Sequence, residues 1–326
     1  MPSCFEVRVA ETEALNPLIR RLRLQDAQGQ TLPGYTAGAH VRVQVRLPDG
    51  GQDWRHYSLI NPLPQADATT APAHYDIAVR REDEGRGGSC FMHGLQVGDR
   101  LLIEAPQNDF PLQGGTAPVL LVAGGIGVTP LLSMAAELRV CQRPVRMVYA
   151  GRSRASLAFL PPLQALLGNA LRVHADDEAG AALDVGALLD ACAPAESLYV
   201  CGPKPMLDAV LAAAHARGWP PERVHFELFV AAAPEAGDQA FDVVLAQSGV
   251  THRVAADQSI LDCLIEHGCD PLFDCKRGEC GVCAVPVIEG DIDHRDYVLG
   301  VSEKAAGNVI QICISRARGP RLVLDL

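Results

Sequence analysis

Along the first hundred residues, apolar and polar positions alternate in short bursts. His40-Val41-Arg42-Val43-Gln44-Val45-Arg46-Leu47 changes side at nearly every step, and Tyr75 to Arg80 repeats the habit. That is the period of a half-buried strand. Pro, Gly and Asp clusters divide the runs, among them Pro48-Asp49-Gly50-Gly51 and the Pro/Ala-rich stretch from Asn61 to Ala73. Short strands separated by such turn signals predict a small antiparallel β-barrel. From about Ala117 the pattern changes to strand–helix alternation. Val119-Leu120-Leu121-Val122-Ala123 is continuously apolar, as expected of a parallel strand buried on both faces. A helix is expected next, with Thr129 as N-cap, Pro130 at its first position, and Leu131, Leu132, Ala135 and Leu138 on one face. Val145 to Ala150, Leu171 to His174, Leu198 to Val200 and Val224 to Phe226 read as further strands. Pro205 to Arg217 reads as a second helix, ended by Gly218. These elements predict a doubly wound α/β domain. Ala231 to Gly237 is a small-residue linker, and beyond it Phe241 to Ala246 and Thr251 to Ala255 flank Ser248-Gly249 as a hairpin. A helix is expected from about Ser259 to His267. The chain is thus multidomain α+β: a barrel over 1–110, an α/β domain over 111–230, a linker over 231–240 and a third domain over 241–326.

Composition narrows the partners. Twenty-eight basic residues against 39 acidic ones leave a net charge of -11, which argues against nucleic acid or an anionic membrane surface. The apolar runs are too short to span a bilayer. Met1-Pro2-Ser3-Cys4-Phe5-Glu6 shows neither the basic nor the apolar region of a secretion signal, so a cytoplasmic protein is expected. Eleven cysteines in such a compartment need a purpose other than disulfides. Seven are scattered; the other four, Cys275, Cys280, Cys283 and Cys313, are not.

Their spacing, Cys275-x4-Cys280-x2-Cys283 with Cys313 far downstream, is that of a plant-type [2Fe–2S] site. A tight loop can deliver three thiolates and a distant element the fourth. Gly278 and Gly281 let the backbone wrap closely round the sulfurs. A structural zinc site and unrelated buried cysteines are the alternatives, but zinc sites more often use paired C-x2-C knuckles. Gly124-Gly125-Ile126-Gly127-Val128-Thr129-Pro130 lies between an apolar strand and a helix, where a backbone turn can meet a pyrophosphate. Cys201-Gly202-Pro203 is a second such turn after a strand of the same domain, and the two would line one crevice. Arg55-His56-Tyr57-Ser58 ends a predicted barrel strand with a phosphate-binding, a ring-stacking and a hydrogen-bonding side chain. Gly87-Gly88-Ser89 could cradle an anion or simply turn the chain.

Taken in this order, with Phe226-Glu227, Asp293-His294-Arg295-Asp296 and the closing Leu322-Val323-Leu324-Asp325-Leu326, these motifs resemble the ferredoxin–NADP reductase superfamily. The match is to phthalate dioxygenase reductases and vanillate O-demethylase reductases, over essentially the whole chain. The resemblance implies an FMN-binding barrel, an NAD domain and a β-grasp-like [2Fe–2S] ferredoxin domain. It implies that Arg55 and Ser89, with Gly87, Gly88 and Arg80, serve the FMN phosphate. Tyr57 would pack on the isoalloxazine and Ser58 would lie near flavin N5. Thr129 and Cys201 would sit beside the nicotinamide, with Gly125 and Gly127 at the pyrophosphate, and Gly124, Gly202, Pro203 and Glu227 would also belong to the cofactor-binding set. His40, His56, His93 and His294 receive no role. The implied reaction moves a hydride from NAD(P)H to the flavin, then single electrons through the cluster to a Rieske-type oxygenase. Other acceptors are a quaternary-amine (carnitine-type) monooxygenase, or none, were the chain a non-catalytic ferredoxin-like carrier. Arg152 after one strand could grip a 2′-phosphate, whereas Asp176-Asp177 after the next would repel it, so NADH is expected over NADPH. The segment 237–326 holds 14 acidic and 8 basic residues, a charge of -6 suited to a basic docking patch.

Overall fold

The alternation of the first hundred residues becomes a single antiparallel sheet in the computed structural model, which describes residues 3–60, 71–229, 235 and 237–326. The chain forms two compact units, Met1–Glu227 and Leu228–Leu326. Most of the Asn61–Ala73 turn region and of the expected linker lies outside the described residues.

The first unit opens with β1 (Cys4–Asn16), β2 (Ile19–Asp26), β3 (His40–Arg46), β4 (Gln52–Ser58), β5 (Tyr75–Arg80), the short helix α1 (Gly88–Gly94) and β6 (Arg100–Glu104). The sheet order is β4-β3-β6-β1-β2-β5. Val7, Val9, Leu22, Leu24, Val41, Val43, Val45, Ile77, Val79 and Ile103 point inward from alternate positions and form one core, which Met92 of α1 joins. The expected barrel is a half-barrel. Its edge strands meet just beyond β4, where Ile60 N–H donates to the Asp76 carbonyl at 2.8 Å.

The same unit continues with β7 (Val119–Gly124), α2 (Val128–Val140), β8 (Val145–Gly151), α3 (Leu160–Leu167), β9 (Leu171–Ala175), the single turn α4 (Asp176–Ala179), α5 (Val185–Asp190), β10 (Ser197–Cys201), α6 (Lys204–Ala216) and β11 (Val224–Glu227). The strands are all parallel, in the order β11-β10-β7-β8-β9. The chain order reverses at β7, so the C-terminal ends of β7 and β10 form the switch point at which such sheets bind ligands. Helix α2 departs from the expected one-faced pattern, because residues 128–136 are buried all round. It packs on β7, β8 and β10 on one side, while Ser133 Oγ accepts from Gly38 N–H of the half-barrel at 3.2 Å. A Cβ on Gly38 would stand 2.0 Å from the Phe110 carbonyl and 2.9 Å from Met134, so glycine permits this approach. Thr129 is not the N-cap. The helix begins at Val128 after a tight turn, Gly125–Gly127, and the Thr129 hydroxyl donates back to the Ile126 carbonyl at 3.0 Å.

The second unit comprises β12 (Phe241–Leu245), β13 (Thr251–Val254), α7 (Ile260–Glu266), β14 (Ala284–Glu289), β15 (Ile292–Asp293), α8 (Val301–Ala306), β16 (Val309–Gln311), β17 (Arg316–Ala317) and β18 (Arg321–Leu324). Its main sheet runs β13-β12-β18-β14-β16 and is mixed, β12 and β18 being parallel neighbours. Ser259 caps α7 by accepting from Asp262 N–H at 3.0 Å. Ile260, Leu261, Cys263 and Leu264 close this core over Phe241, Val243, Leu322 and Leu324.

Candidate functional site

On the half-barrel, β4 pairs with β3 so that Arg55, Tyr57 and Ser58 lie opposite Val43, Val41 and His40. Arg55 Nη1 donates to Asp53 Oδ2 at 2.5 Å and to the Trp54 carbonyl at 2.9 Å. Burial alone would raise the Asp53 pKa, but Arg55, the Trp54 N–H and Arg86 outweigh it and hold the carboxyl below its usual range. Gly88, in the first turn of α1, faces this guanidinium: a Cβ there would lie 2.9 Å from Arg55 Nε and 3.2 Å from Val45. Arg55 and the first turn of α1 are thus adjacent, and a guanidinium beside a helix start suits a bound phosphate. The Ser89 hydroxyl is engaged elsewhere, accepting from Glu82 N–H at 2.9 Å. Arg80 is exposed and faces Glu82 at 3.5 Å. Tyr57 packs against the core, and its burial raises its pKa. Ser58 Oγ is buried and makes no hydrogen bond among the described residues. A buried hydroxyl left so costs about 1–3 kcal/mol, which fits a ligand atom as its partner. This donor set fits a flavin.

The nucleotide turns meet at the switch point. Ala123, Cys201 and Glu227 lie level on β7, β10 and β11. A Cβ on Gly127 would stand 2.2 Å from the Cys201 carbonyl, one on Gly124 2.6 Å from Pro203, and one on Gly202 2.3 Å from Met206. The two turns therefore press directly on each other, and three of their glycines serve that contact. Gly125 differs: it adopts φ +54° and nothing lies within 4 Å of its Cβ direction. Tyr149 donates to its carbonyl at 3.0 Å, and β5 packs against the same turn. Thr129, Cys201 and Glu227 are all buried there. Arg152 and Asp176 come after β8 and β9 along the same sheet edge; Arg152 is exposed, and Asp176 pairs with His174 at 3.2 Å.

In the second unit the loop from Cys275 to Cys283 carries three left-handed residues: Lys276 at φ +53° and Gly278 and Gly281 at +76°. A Cβ on Gly278 would stand 2.8 Å from Ile314, so this turn needs glycine on both counts. Ala284 of β14 pairs with Gln311 of β16, which brings the flanking Cys283 and Cys313 together. The thiols contact one another in pairs, Cys275 with Cys280 and Cys283 with Cys313, and Cys313 also feels Cys275. Among the described residues no three His, Cys, Asp or Glu side chains gather as one metal ion would require. Two pairs of thiols fit a two-iron cluster, which spreads four ligands over two metals. Arg277 N–H points at Cys275 Sγ at 3.3 Å. Burial pushes Cys280 up to about 11, while the hydrogen bond from Cys313 draws Cys283 down to about 7.

The run Asp293-His294-Arg295-Asp296, for which the sequence suggested no role at the cysteines, braces this loop. Asp296 is buried and accepts from the N–H groups of Val298 and Leu299 at 3.2 and 2.8 Å, and Tyr297 N–H donates to the Gly278 carbonyl at 3.0 Å. Arg295 bridges Asp293 at 2.7 Å and Asp238 at 2.5 Å, and its hydrogen bonds draw Asp238 down to about 2. The run Asp293-His294-Arg295-Asp296 was the available signal, an unusual density of charge for a segment that turns out to be largely buried.

Three families cover the chain in succession. An oxidoreductase FAD-binding domain matches residues 6–111. The N-terminal domain of a dimethylamine monooxygenase subunit DmmA-like family matches 108–224, and a 2Fe-2S iron-sulfur cluster binding domain matches 243–318, which holds all four cysteines. The toluene-4-sulfonate monooxygenase system reductase subunit of Comamonas testosteroni is 40% identical, with all of both chains covered. The heme-dependent oxidative N-demethylase beta subunit of Ectopseudomonas mendocina is 39% identical, again over all of both chains. The solved phthalate dioxygenase reductase superposes with a TM-score of 0.73 at 35% identity, covering 99% of this chain and 98% of that one. Among the described residues no helix is long and apolar enough to cross a membrane. The chain belongs to the phthalate dioxygenase reductase-type family and is an NAD(P)H-dependent oxidoreductase with a flavin and a [2Fe–2S] cluster.

Proposed function

We propose that this protein is the reductase component of a two-component Rieske-type aromatic oxygenase or O-demethylase, working with FMN and NADH. The observation that carries the reading is one chain joining a flavin half-barrel and a nucleotide sheet to two pairs of thiols with plant-type spacing. When bound, the flavin converts the coenzyme's two-electron delivery into single electrons for the cluster. The protein's own part is to hold and orient. Arg55 and the backbone of Gly87, Gly88 and Ser89 hold the flavin phosphate, with Tyr57 against the ring and Ser58 Oγ as a hydrogen-bond donor near N5. Thr129, Cys201 and Glu227 border the nicotinamide, while Gly124, Gly125, Gly127, Gly202 and Pro203 shape the pyrophosphate turn. Cys275, Cys280, Cys283 and Cys313 ligate the iron. Domain limits of 1–110, 111–230, 231–240 and 241–326 suit this division. Eleven cysteines with no disulfide among the described residues suit a reducing, cytoplasmic setting.

Anaerobic titration of the purified protein with NADH, followed by identification of the released flavin, tests the internal path. A flavin band and a broad iron–sulfur band should both bleach, with FMN released. A cluster without flavin, unreduced by NADH, would overturn the reading in favour of a ferredoxin-like carrier. Substrate-dependent NADH oxidation with purified Rieske oxygenases, a carnitine-type monooxygenase and a heme-dependent N-demethylase then identifies the acceptor.

A further inference from the structure

We propose that Glu178 sets the coenzyme preference of this reductase by holding Arg154 away from an adenosine 2′-phosphate, so that NADPH is disfavoured. The inference rests on the reading that the coenzyme pyrophosphate lies at the Gly125 turn.

Strands β7, β8 and β9 end at one level: Gly124 is paired with Ala150, and Gly151 with Ala175. In an open parallel sheet a dinucleotide lies across these ends, pyrophosphate at the first turn and adenosine ribose at the end of the next strand. Here the next strand is β8, and Tyr149 within it donates to the Gly125 carbonyl at 3.0 Å. The strand that leads to the ribose position is thereby tied to the pyrophosphate turn. The loop after β8 carries Gly151-Arg152-Ser153-Arg154, and α4, with Asp176, Asp177 and Glu178, comes directly after β9. The two segments are joined by Asp177 N–H donating to the Arg152 carbonyl at 3.1 Å.

Two guanidinium groups stand at this edge, and they differ. Arg152 is exposed and has no ion-pair partner among the described residues. Arg154 is held at two points, Nε to Glu178 Oε1 and Nη2 to Glu178 Oε2, each at 2.9 Å. This two-point fork uses the edge of the guanidinium that a phosphate would take. The pair is about half exposed on both sides, 54% and 52%, so it adds little to stability. Its consequence lies in what Arg154 can still bind. A 2′-phosphate must displace the Glu178 carboxylate and then remain beside it and Asp177. The neutral 2′-hydroxyl of NADH meets neither obstacle, so the pair selects by repelling the wrong coenzyme.

Glu178→Gln, made in the holoenzyme, removes the charge with little change in shape. Adenosine 2′,5′-bisphosphate should bind about tenfold more tightly by calorimetry while 5′-AMP is unchanged, and kcat/KM for NADPH should rise by a similar factor with NADH nearly constant. In Arg154→Ala/Glu178→Gln the gain should vanish. An unchanged bisphosphate affinity in Glu178→Gln, or a gain that survives in the double variant, would overturn the proposal. Gly125→Ala tests the underlying reading separately: ADP binding should weaken, and unaltered ADP binding would overturn the pyrophosphate placement whatever Glu178→Gln does.

Discussion

Cys263 and Cys313 are both buried thiols of the same unit, and their surroundings separate them. Cys263 sits on α7 with Sγ 3.6 Å from the Arg253 carbonyl and beside His267, and burial raises its pKa. It behaves as a small core residue. Cys313 instead meets Cys283 and Cys275. Cys263→Ser should therefore keep the iron–sulfur absorbance and EPR signal, while Cys313→Ser loses both; iron lost from Cys263→Ser would refute the ligand set. The thiol spacing was readable from the chain because three ligands lie within one short loop. The bracing by Arg295 and Asp296 was not, since Arg295 reaches back to Asp238, far away in sequence.

At the scale of elements, the two nucleotide turns interlock. Gly127 is the tightest point, its Cβ direction ending 2.2 Å from backbone that cannot swing aside as a side chain would. Gly127→Ala should push the start of α2 off the end of β10 and cost about 1–3 kcal/mol, read as a lowered Tm with a raised KM for NADH. An unchanged Tm would show that the turns can separate freely. Each turn was visible as Gly between a strand and a helix. Their mutual contact was not, because it depends on β7 and β10 being neighbours, which only the sheet order decides. The burial of residues 128–136 of α2 on every side has the same origin: where a helix runs between a sheet and a half-barrel it keeps no solvent face, so amphipathic spacing says little about that stretch. Thr129 illustrates the local limit. A threonine before proline is a reasonable cap, but the Gly125–Gly127 turn starts the helix earlier and leaves its hydroxyl free to bond back.

For the whole molecule, the charge of -11, of which the segment 237–326 carries -6, governs encounters with an acceptor. Reduction of a basic acceptor such as cytochrome c should slow several-fold as salt is raised from low ionic strength, while reduction of anionic ferricyanide should not slow. Equal salt responses would show that the acidic surface does not guide docking. The chain by itself determined the succession of domains, the strand and helix periods, the net charge and the thiol spacing, because each is set by residues adjacent or a few places apart. Tertiary structure decided the rest: that the edge strands of the half-barrel meet at Ile60 and Asp76, that Arg55 faces Gly88, that Ser58 Oγ is buried without a hydrogen-bonding partner among the described residues, and that Glu178 holds Arg154. Each of these joins positions distant along the chain. Such contacts depend on which strands and turns pack side by side, and local patterning does not encode that choice.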